Sequence, residues 1–404
     1  MKLRRLPEDF RVTEVASIRC DGGPFALYEL SKTSIGTPEA ISALCRRWKV
    51  HRRQVSYGGL KDRHAVTTQY LTIRNGPHRG HDQQNFSVRY LGQTSQPFNA
   101  GSFDGNEFTL VLRDMTDEEV RRLSGGVAQV VSTGLPNYFD DQRFGSLGRS
   151  GEWIARSWCL GDYERALWLA LADPHEHDSS SEKKQKKILR ELWGQWPDCQ
   201  KALDRSHRRS IVTYLSDKVN AGKPPDFRGA LARINVDLRG LYLSAWQSAL
   251  WNRLLSRLLQ LKTDAENVVW CRFASGPGVF PNGLSESQAN ELHATMLPLP
   301  SARIDLPEGE VGALLSEVLR EEGVELRQVR VKYPRDTFFS RGQRSALVRP
   351  TELKYAVDTD ELYPRRQKVT LAFRLPKGSY ATILVKRLTE AAADLRSGDT
   401  AKGD

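Results

Sequence analysis

Apolar and polar side chains alternate near both ends of this chain while helical spacing dominates its middle, and that split constrains the fold most. Phe10-Arg-Val-Thr-Glu-Val15 alternates as a half-buried strand does. Phe25-Ala-Leu-Tyr-Glu-Leu30, Gln69-Tyr-Leu-Thr-Ile73 and Glu107-Phe-Thr-Leu-Val-Leu112 read as further strands on β-branched and aromatic content. Alternation returns at Lys368-Val-Thr-Leu-Ala-Phe-Arg374. One helix enters among the early strands, with Thr37 expected as N-cap, Pro38 as its first residue, and Ala40, Ile41, Ala43, Leu44 and Trp48 as its apolar side. Another is expected from Ala381 to about Ala392, capped by Ser379 after the turn at Pro376 and Gly378. Between them the pattern is helical from about Trp153 to Leu215 and again from Ser244 to about Leu261. In the latter helix the Trp and Leu spacings bury most of the surface, leaving Ser244, Asn252 and Arg257 as the positions able to reach a ligand. A chain of 404 residues is too long for one ordinary core, so two domains, or one with a large insertion, are expected, and the mixed strands and helices of the first third read as an α+β or α/β sheet domain.

The net charge of +11 suits a polyanionic partner, because counterion release from phosphates drives much of nucleic-acid affinity. Five scattered cysteines, none spaced C-x-x-C, argue against a disulfide framework and against a zinc site. The N-terminal Met1 to Phe10 segment lacks an apolar signal core, and no run reaches membrane-spanning length, so the expected home is the cytoplasm. The tract Pro174 to Lys187 holds His175-Glu176-His177, yet its serines and lysines read as a mobile surface connection rather than a metal site.

Two segments concentrate chemistry. In Gly58-Gly59-Leu60-Lys61-Asp62-Arg63-His64-Ala65 one carboxylate stands between two cations and beside a histidine, directly after a glycine pair that permits close backbone approach. Neighbouring cations favour its ionised form. Such an Asp can be a nucleophile, a metal ligand or an orienting charge; a solvated turn of mixed charge is the plainer alternative. Pro136-Asn-Tyr-Phe-Asp-Asp-Gln-Arg-Phe-Gly145 packs aromatic rings, amides and an arginine into ten residues. Unstacked bases are read by that combination of ring, amide and guanidinium, although a turn with a small aromatic cluster would look the same. The chain has no G-x-x-x-x-G-K-[ST] loop, no G-x-G-x-x-G after a strand, no H-E-x-x-H, no G-x-S-x-G and no zinc-deaminase signature.

Four blocks, in order, resemble the TruD family of tRNA pseudouridine synthases. They are Pro7-Glu-Asp-Phe10 with Val12 and Glu14; Gly59-Leu-Lys-Asp-Arg-His-Ala-Val-Thr67 with Gln69; Pro136-Asn-Tyr-Phe139 through Gln142-Arg-Phe-Gly145; and Leu375-Pro-Lys-Gly-Ser-Tyr-Ala-Thr382. The Ser244 to Asn252 helix is similar to a fifth, softer block. The resemblance implies a pseudouridine-synthase-type mixed/antiparallel β-sheet catalytic domain flanked by helices, from residues 1–160 and 340–392. A large α/β insertion domain at 161–339 and a disordered tail at 393–404 complete that expectation. It also implies isomerisation of uridine to pseudouridine in tRNA at position 13, with Asp62 as nucleophile and neither cofactor nor metal. Arg4 maps to the basic partner of Asp62, Phe139 to the ring stacked on the uracil, and Asn137 to a contact with the base edge. Lys61, Arg63, His64, Gln142 and Arg143 join the substrate-binding set, with Phe10 and Tyr380 as wall residues. Asp140 and Asp141 add negative charge near the presumed uracil site. The implied partner is tRNA, bound by a monomer with no obligate protein partner and no membrane. Two other classes fit less well: an RNA-binding protein without activity, against which the intact Asp62 and its flanking cations argue, and a metal-dependent nuclease, which would want several clustered carboxylates.

Overall fold

The computed structural model describes residues 1–390; the expected helix end at Ala392 and the tail 393–404 lie outside the described residues. The chain forms two compact units, one of Met1–Leu135 with the segment from Leu347 onward, the other of Pro136–Ala346. The division falls earlier than 160 and later than 340 because the flanking residues pack with the middle. The Tyr138 hydroxyl, for example, accepts from Val279 N at 2.9 Å, and Phe139 N donates to Asn252 Oδ1 at 2.8 Å.

The first unit is built on ten strands: β1 (Lys2–Leu3), β2 (Phe10–Val15), β3 (Phe25–Thr33), β4 (Val55–Tyr57), β5 (Val66–Arg74), β6 (His81–Gln83), β7 (Phe86–Thr94), β8 (Gly105–Met115), β9 (Thr351–Thr359) and β10 (Gln367–Pro376). They form one sheet in the order β9-β10-β8-β2-β5-β3-β7-β6, with β1 beside β8 and β4 beside β5. Every pairing in it is antiparallel except β2 with β5. Alternation places side chains as expected: Phe10, Val12 and Glu14 form the buried row of β2, while Arg11 and Thr13 are exposed. One member of that row is therefore a carboxylate. In β3 the row Ala26, Tyr28, Leu30 ends on a buried lysine, Lys32.

Helix α1 (Thr37–Trp48) lays Ala40, Ile41 and Leu44 against Ala26, Tyr28, Leu30, Leu71 and Ile73. Its N-cap is Gly36 rather than Thr37. The Thr37 hydroxyl is instead given to Gln69 Oε1 at 2.8 Å, a buried acceptor that would otherwise be unsatisfied. Leu27, on the other side of β3, packs with Phe98 and Phe103. Helix α2 (Asp117–Thr133) starts with a reciprocal cap between Thr116 and Glu119. It lies close to α3 (Ala381–Thr389), where a Cβ at Gly126 would come within 3.1 Å of Leu388. The N-cap of α3 is Tyr380, one residue beyond the expected Ser379.

A buried ion cluster ties the N-terminal turn to the sheet. Arg113 Nε donates to both Asp9 oxygens at 2.9 and 3.0 Å, and its Nη1 donates to Asp360 at 3.1 Å. Asp360 also accepts from Asp114 N and Leu362 N at 2.8 and 2.9 Å. Buried charges persist when paired and hydrogen-bonded in this way, so Asp9 of the first motif is a structural residue.

The second unit is mainly helical. Its longest helix, Val236–Leu261, begins before the expected Ser244 because Asn235 caps it through Asp237 N at 2.8 Å. Trp246 and Trp251 are fully buried on it. Small antiparallel pairs join Val268–Phe273 to Gly276–Pro281 and Met296–Pro298 to Gln343–Ser345. The tract expected as a mobile connection is in large part a helix, Ser180–Glu191. Ser179 caps it, Lys186 Nζ donates to Asp178 at 2.9 Å, and Leu189 is buried beneath it. Among the described residues, no group of three or more His, Cys, Asp or Glu is arranged to hold a metal, so His175 to His177 form no such site.

Candidate active site

The parallel pairing of β2 with β5 brings two distant motifs to one end of the sheet. Arg11 lies opposite Val66 and Thr13 opposite Thr68, so the chain preceding each strand enters from the same side. Arg4 and Asp62 meet there, with Arg4 Nη2 donating to Asp62 Oδ2 at 2.7 Å. Arg4 adopts a left-handed backbone, φ 59°, which turns its side chain back over the strand it precedes. Its guanidinium carbon sits 4.0 Å from the Phe10 ring centroid. That stacking gives the buried Phe10 a second task, holding the cation flat against an apolar face. The Asp62 side chain stays 36% exposed, open enough to meet a substrate.

The loop that carries Asp62 is held by three neighbours, Gln69, Thr37 and Lys32. Gln69 Nε2 donates to Gly59 O at 3.1 Å, and Lys61 N donates to Thr37 Oγ1 at 3.1 Å. Lys32 Nζ donates to Asp62 O at 2.7 Å, Ile35 O at 2.9 Å and Lys61 O at 3.3 Å. Gly58 has the Phe103 ring 2.7 Å from where a Cβ would stand, so only glycine lets the loop lie this close. Burial pushes the Lys32 amine down to about 8, against the opposing pull of Asp62 and Glu39 and with added repulsion from Lys61.

The other cations of the motif diverge. Lys61 reaches into the sheet, with Nζ 2.5 Å from Asn106 Oδ1, 3.1 Å from Glu14 and 5.1 Å from the Phe103 centroid. Its charge balances the buried Glu14, which also accepts from Tyr70 N at 2.9 Å. Arg63 is exposed and 3.5 Å from Glu39, and His64 is exposed. Tyr380 is half-buried at the start of α3.

In the second unit the N-Y-F segment is clamped as a piece of backbone. Asn252 Oδ1 accepts from Phe139 N at 2.8 Å, and its Nδ2 donates to Phe139 O at 2.9 Å. The Phe139 ring stands edge-on to Trp251 at 5.4 Å. The Arg344 guanidinium lies 4.4 Å and that of Arg143 5.7 Å from the Phe139 centroid. Asn137 is 5% exposed; its Nδ2 donates to Ser345 O at 3.1 Å and its Oδ1 accepts from Arg344 Nη2 at 2.5 Å. These bonds suit the fixing of local backbone. The Tyr138 hydroxyl both donates to Val279 O and accepts from Val279 N, each at 2.9 Å, and burial drives its pKa up. The two acids expected to charge the uracil site serve the backbone: Asp140 caps the turn through Gln142 N, and Asp141 accepts from Ala274 N. Gln142 is exposed, and Arg143 Nε donates to Ser248 Oγ at 3.3 Å. Of the positions expected to reach a ligand from the long helix, Ser244 donates to Gly240 O, Arg257 pairs with Glu317 and Glu321, and Asn252 is the clamp just described.

Sequence reasoning missed Lys32, Thr37 and Gln69 as holders of the Asp62 loop, and Arg344 as the cation over Phe139. Lys32 left a readable signal, being a lysine at the next alternate place after Ala26, Tyr28 and Leu30. Arg344 left none.

Comparison with known proteins places the chain among the pseudouridine synthases, a class of isomerases. Within that class it belongs to the tRNA pseudouridine synthase D (TruD) family, whose model matches residues 1–388. It is 30% identical over 397 residues to a probable tRNA pseudouridine synthase D 1 of Methanococcus maripaludis, covering 96% of this chain and 99% of that one. A tRNA pseudouridine synthase D of Aquifex aeolicus is 25% identical over 397 residues, with 96% and 98% covered. The crystal structure of a putative tRNA pseudouridine synthase D from Methanosarcina mazei superposes with a TM-score of 0.71 at 24% identity, over 96% of this chain and 93% of that one, and so shares its fold.

Proposed function

We propose that the protein isomerises uridine to pseudouridine in tRNA, at position 13, with Asp62 as the nucleophile and without a cofactor. The observation that carries this reading is the Arg4–Asp62 pair, a partly exposed carboxylate fixed at 2.7 Å on a stacked guanidinium at the sheet's end. The isomerisation breaks the N1–C1′ bond, rotates the uracil and forms C5–C1′; C5 gives up a proton and N1 gains one, so atoms and electrons balance within the substrate. A carboxylate held near C1′ or C6 starts it. Arg4 aims that carboxylate. Resemblance to the family is the ground for assigning Phe139, a buried ring in this structure, the stacking that would offset part of the few kcal/mol that flipping a uracil costs. Arg63, exposed, offers a cationic contact to the phosphates, and His64, also exposed, an N–H donor. The working form is a monomer in the cytoplasm.

The test uses gel-filtered protein in chelator with two unmodified tRNAs, one carrying U13 and one C13. Pseudouridine at position 13 of the first and none in the second is the expected result. Modification elsewhere would remove the position, and product only on adding a metal ion would remove the cofactor-free mechanism.

A further inference from the structure

We infer that Lys32 is a positioning residue for the reaction, its ammonium gathering the backbone carbonyls that set the angle of the Asp62 carboxylate. The inference rests on Asp62 being the reacting group. Lys32 stands where β3 would place an apolar side chain and is 2% exposed. An ammonium has three N–H donors and no acceptor, and three carbonyl oxygens surround this one: Asp62 O at 2.7 Å, Ile35 O at 2.9 Å and Lys61 O at 3.3 Å. Two of the three belong to the reactive residue and its predecessor.

The arrangement is wasteful for stability alone. Burying an ammonium costs more than burying a leucine in the same row, and among the described residues no carboxylate lies within ion-pair distance of it. What the charge gains is control of the two peptide units that flank Asp62, whose carbonyls, Lys61 O and Asp62 O, are pulled toward one point. Arg4 fixes the Asp62 side chain from outside and Lys32 fixes its backbone from beneath, so two cations define the orientation of one carboxylate.

The geometry also makes the hold sensitive to pH. A neutral amine has two donors for three acceptors, so one carbonyl is released when Lys32 loses its proton. The charged groups acting on it are Asp62 and Glu39, which favour the ammonium, and Lys61, which opposes it; burial is the largest influence and brings the transition to about 8. Below that pH the loop is fully held, and above it the carboxylate loses its fixed angle.

The experiment measures single-turnover kcat, tRNA KM and thermal midpoint across pH 6.5 to 9.5 for wild type, Lys32→Met and Lys32→Arg, with Asp62→Asn as the control for the reading beneath. The expected result is a basic limb near pH 8 in wild type. Lys32→Met should lose about a hundredfold or more in kcat, with KM within about threefold and no such limb, since preorganisation of this kind is worth on the order of 10² in rate. Lys32→Arg, which keeps donors and charge at every pH in the range, should recover part of the rate and also lack the limb. A folded Lys32→Met with wild-type kcat, or the same limb in all three proteins, overturns the inference. If Lys32→Met fails to fold, the Lys32→Arg profile decides alone, because an unchanged limb there contradicts the role. Activity retained by Asp62→Asn would instead overturn the nucleophile assignment, leaving the two failures distinct.

Discussion

At the scale of single residues, the central object is an aspartate held by two cations, Arg4 at its side chain and Lys32 at its backbone carbonyl. Arg4 makes a charge-assisted bond to Asp62 and lies flat on Phe10, a pairing that a lysine could not reproduce because it lacks the planar fork. Arg4→Met should lower kcat by about 10- to 100-fold, the equivalent of losing one hydrogen bond to a charged group at roughly 1.5–3 kcal/mol. Arg4→Lys should restore only part of it; steady-state kinetics on unmodified tRNA would check both. Much of this was legible. A lone Asp between cations after paired glycines announces a reactive or strongly organised turn. The lysine that holds the turn from β3 was not read, since the loop carbonyls it binds lie 29 and 30 residues along the chain, and spacing carries no information about them.

At the scale of elements, the parallel β2–β5 pair does the assembling. Two strands that start side by side bring Arg4 and Asp62 together from positions 58 residues apart. Strand identities were read from alternation or from β-branched and aromatic content in β2, β3, β5, β8 and β10, while β9, whose Leu353, Tyr355 and Val357 also alternate, was passed over. β7 went unread because its alternation, Phe86, Val88, Tyr90, stops at Gly92, whose φ of 152° accompanies a register shift against β3. The caps moved for a different reason: Thr37 has a better use for its hydroxyl on Gln69. In the second unit, the Asn252 clamp predicts a defined cost. Asn252→Ala removes two hydrogen bonds from the buried Phe139 backbone, at about 1–3 kcal/mol for each. A fall of several degrees in thermal midpoint is expected, with a weaker hold on the Phe139 ring. Asn252→Asp, which can still accept from the N–H, should fall between.

At the scale of the whole chain, composition speaks about the partner and little about the boundaries. The charge of +11 predicts tRNA affinity that weakens at least about tenfold between 50 and 200 mM salt, as counterion release requires, while kcat at saturating tRNA changes less than about twofold. Filter binding and single-turnover kinetics over the same salt series would check the pair. The division at Pro136 and Ala346 was not legible, because no glycine- or serine-rich linker marks it and the chain leaves α2 directly into the Asn137–Phe139 segment. Long-range bonds such as that of Asn137 N to Ala346 O set the boundary, and those depend on the finished fold.

The most direct measurement is pseudouridine mapping of unmodified U13 tRNA incubated with wild-type protein and with Asp62→Asn, alongside tRNA binding by both. The account predicts pseudouridine from wild type alone and binding within a few-fold for the two proteins. Pseudouridine from Asp62→Asn at the wild-type rate, or tight binding with no product from either protein, would contradict it.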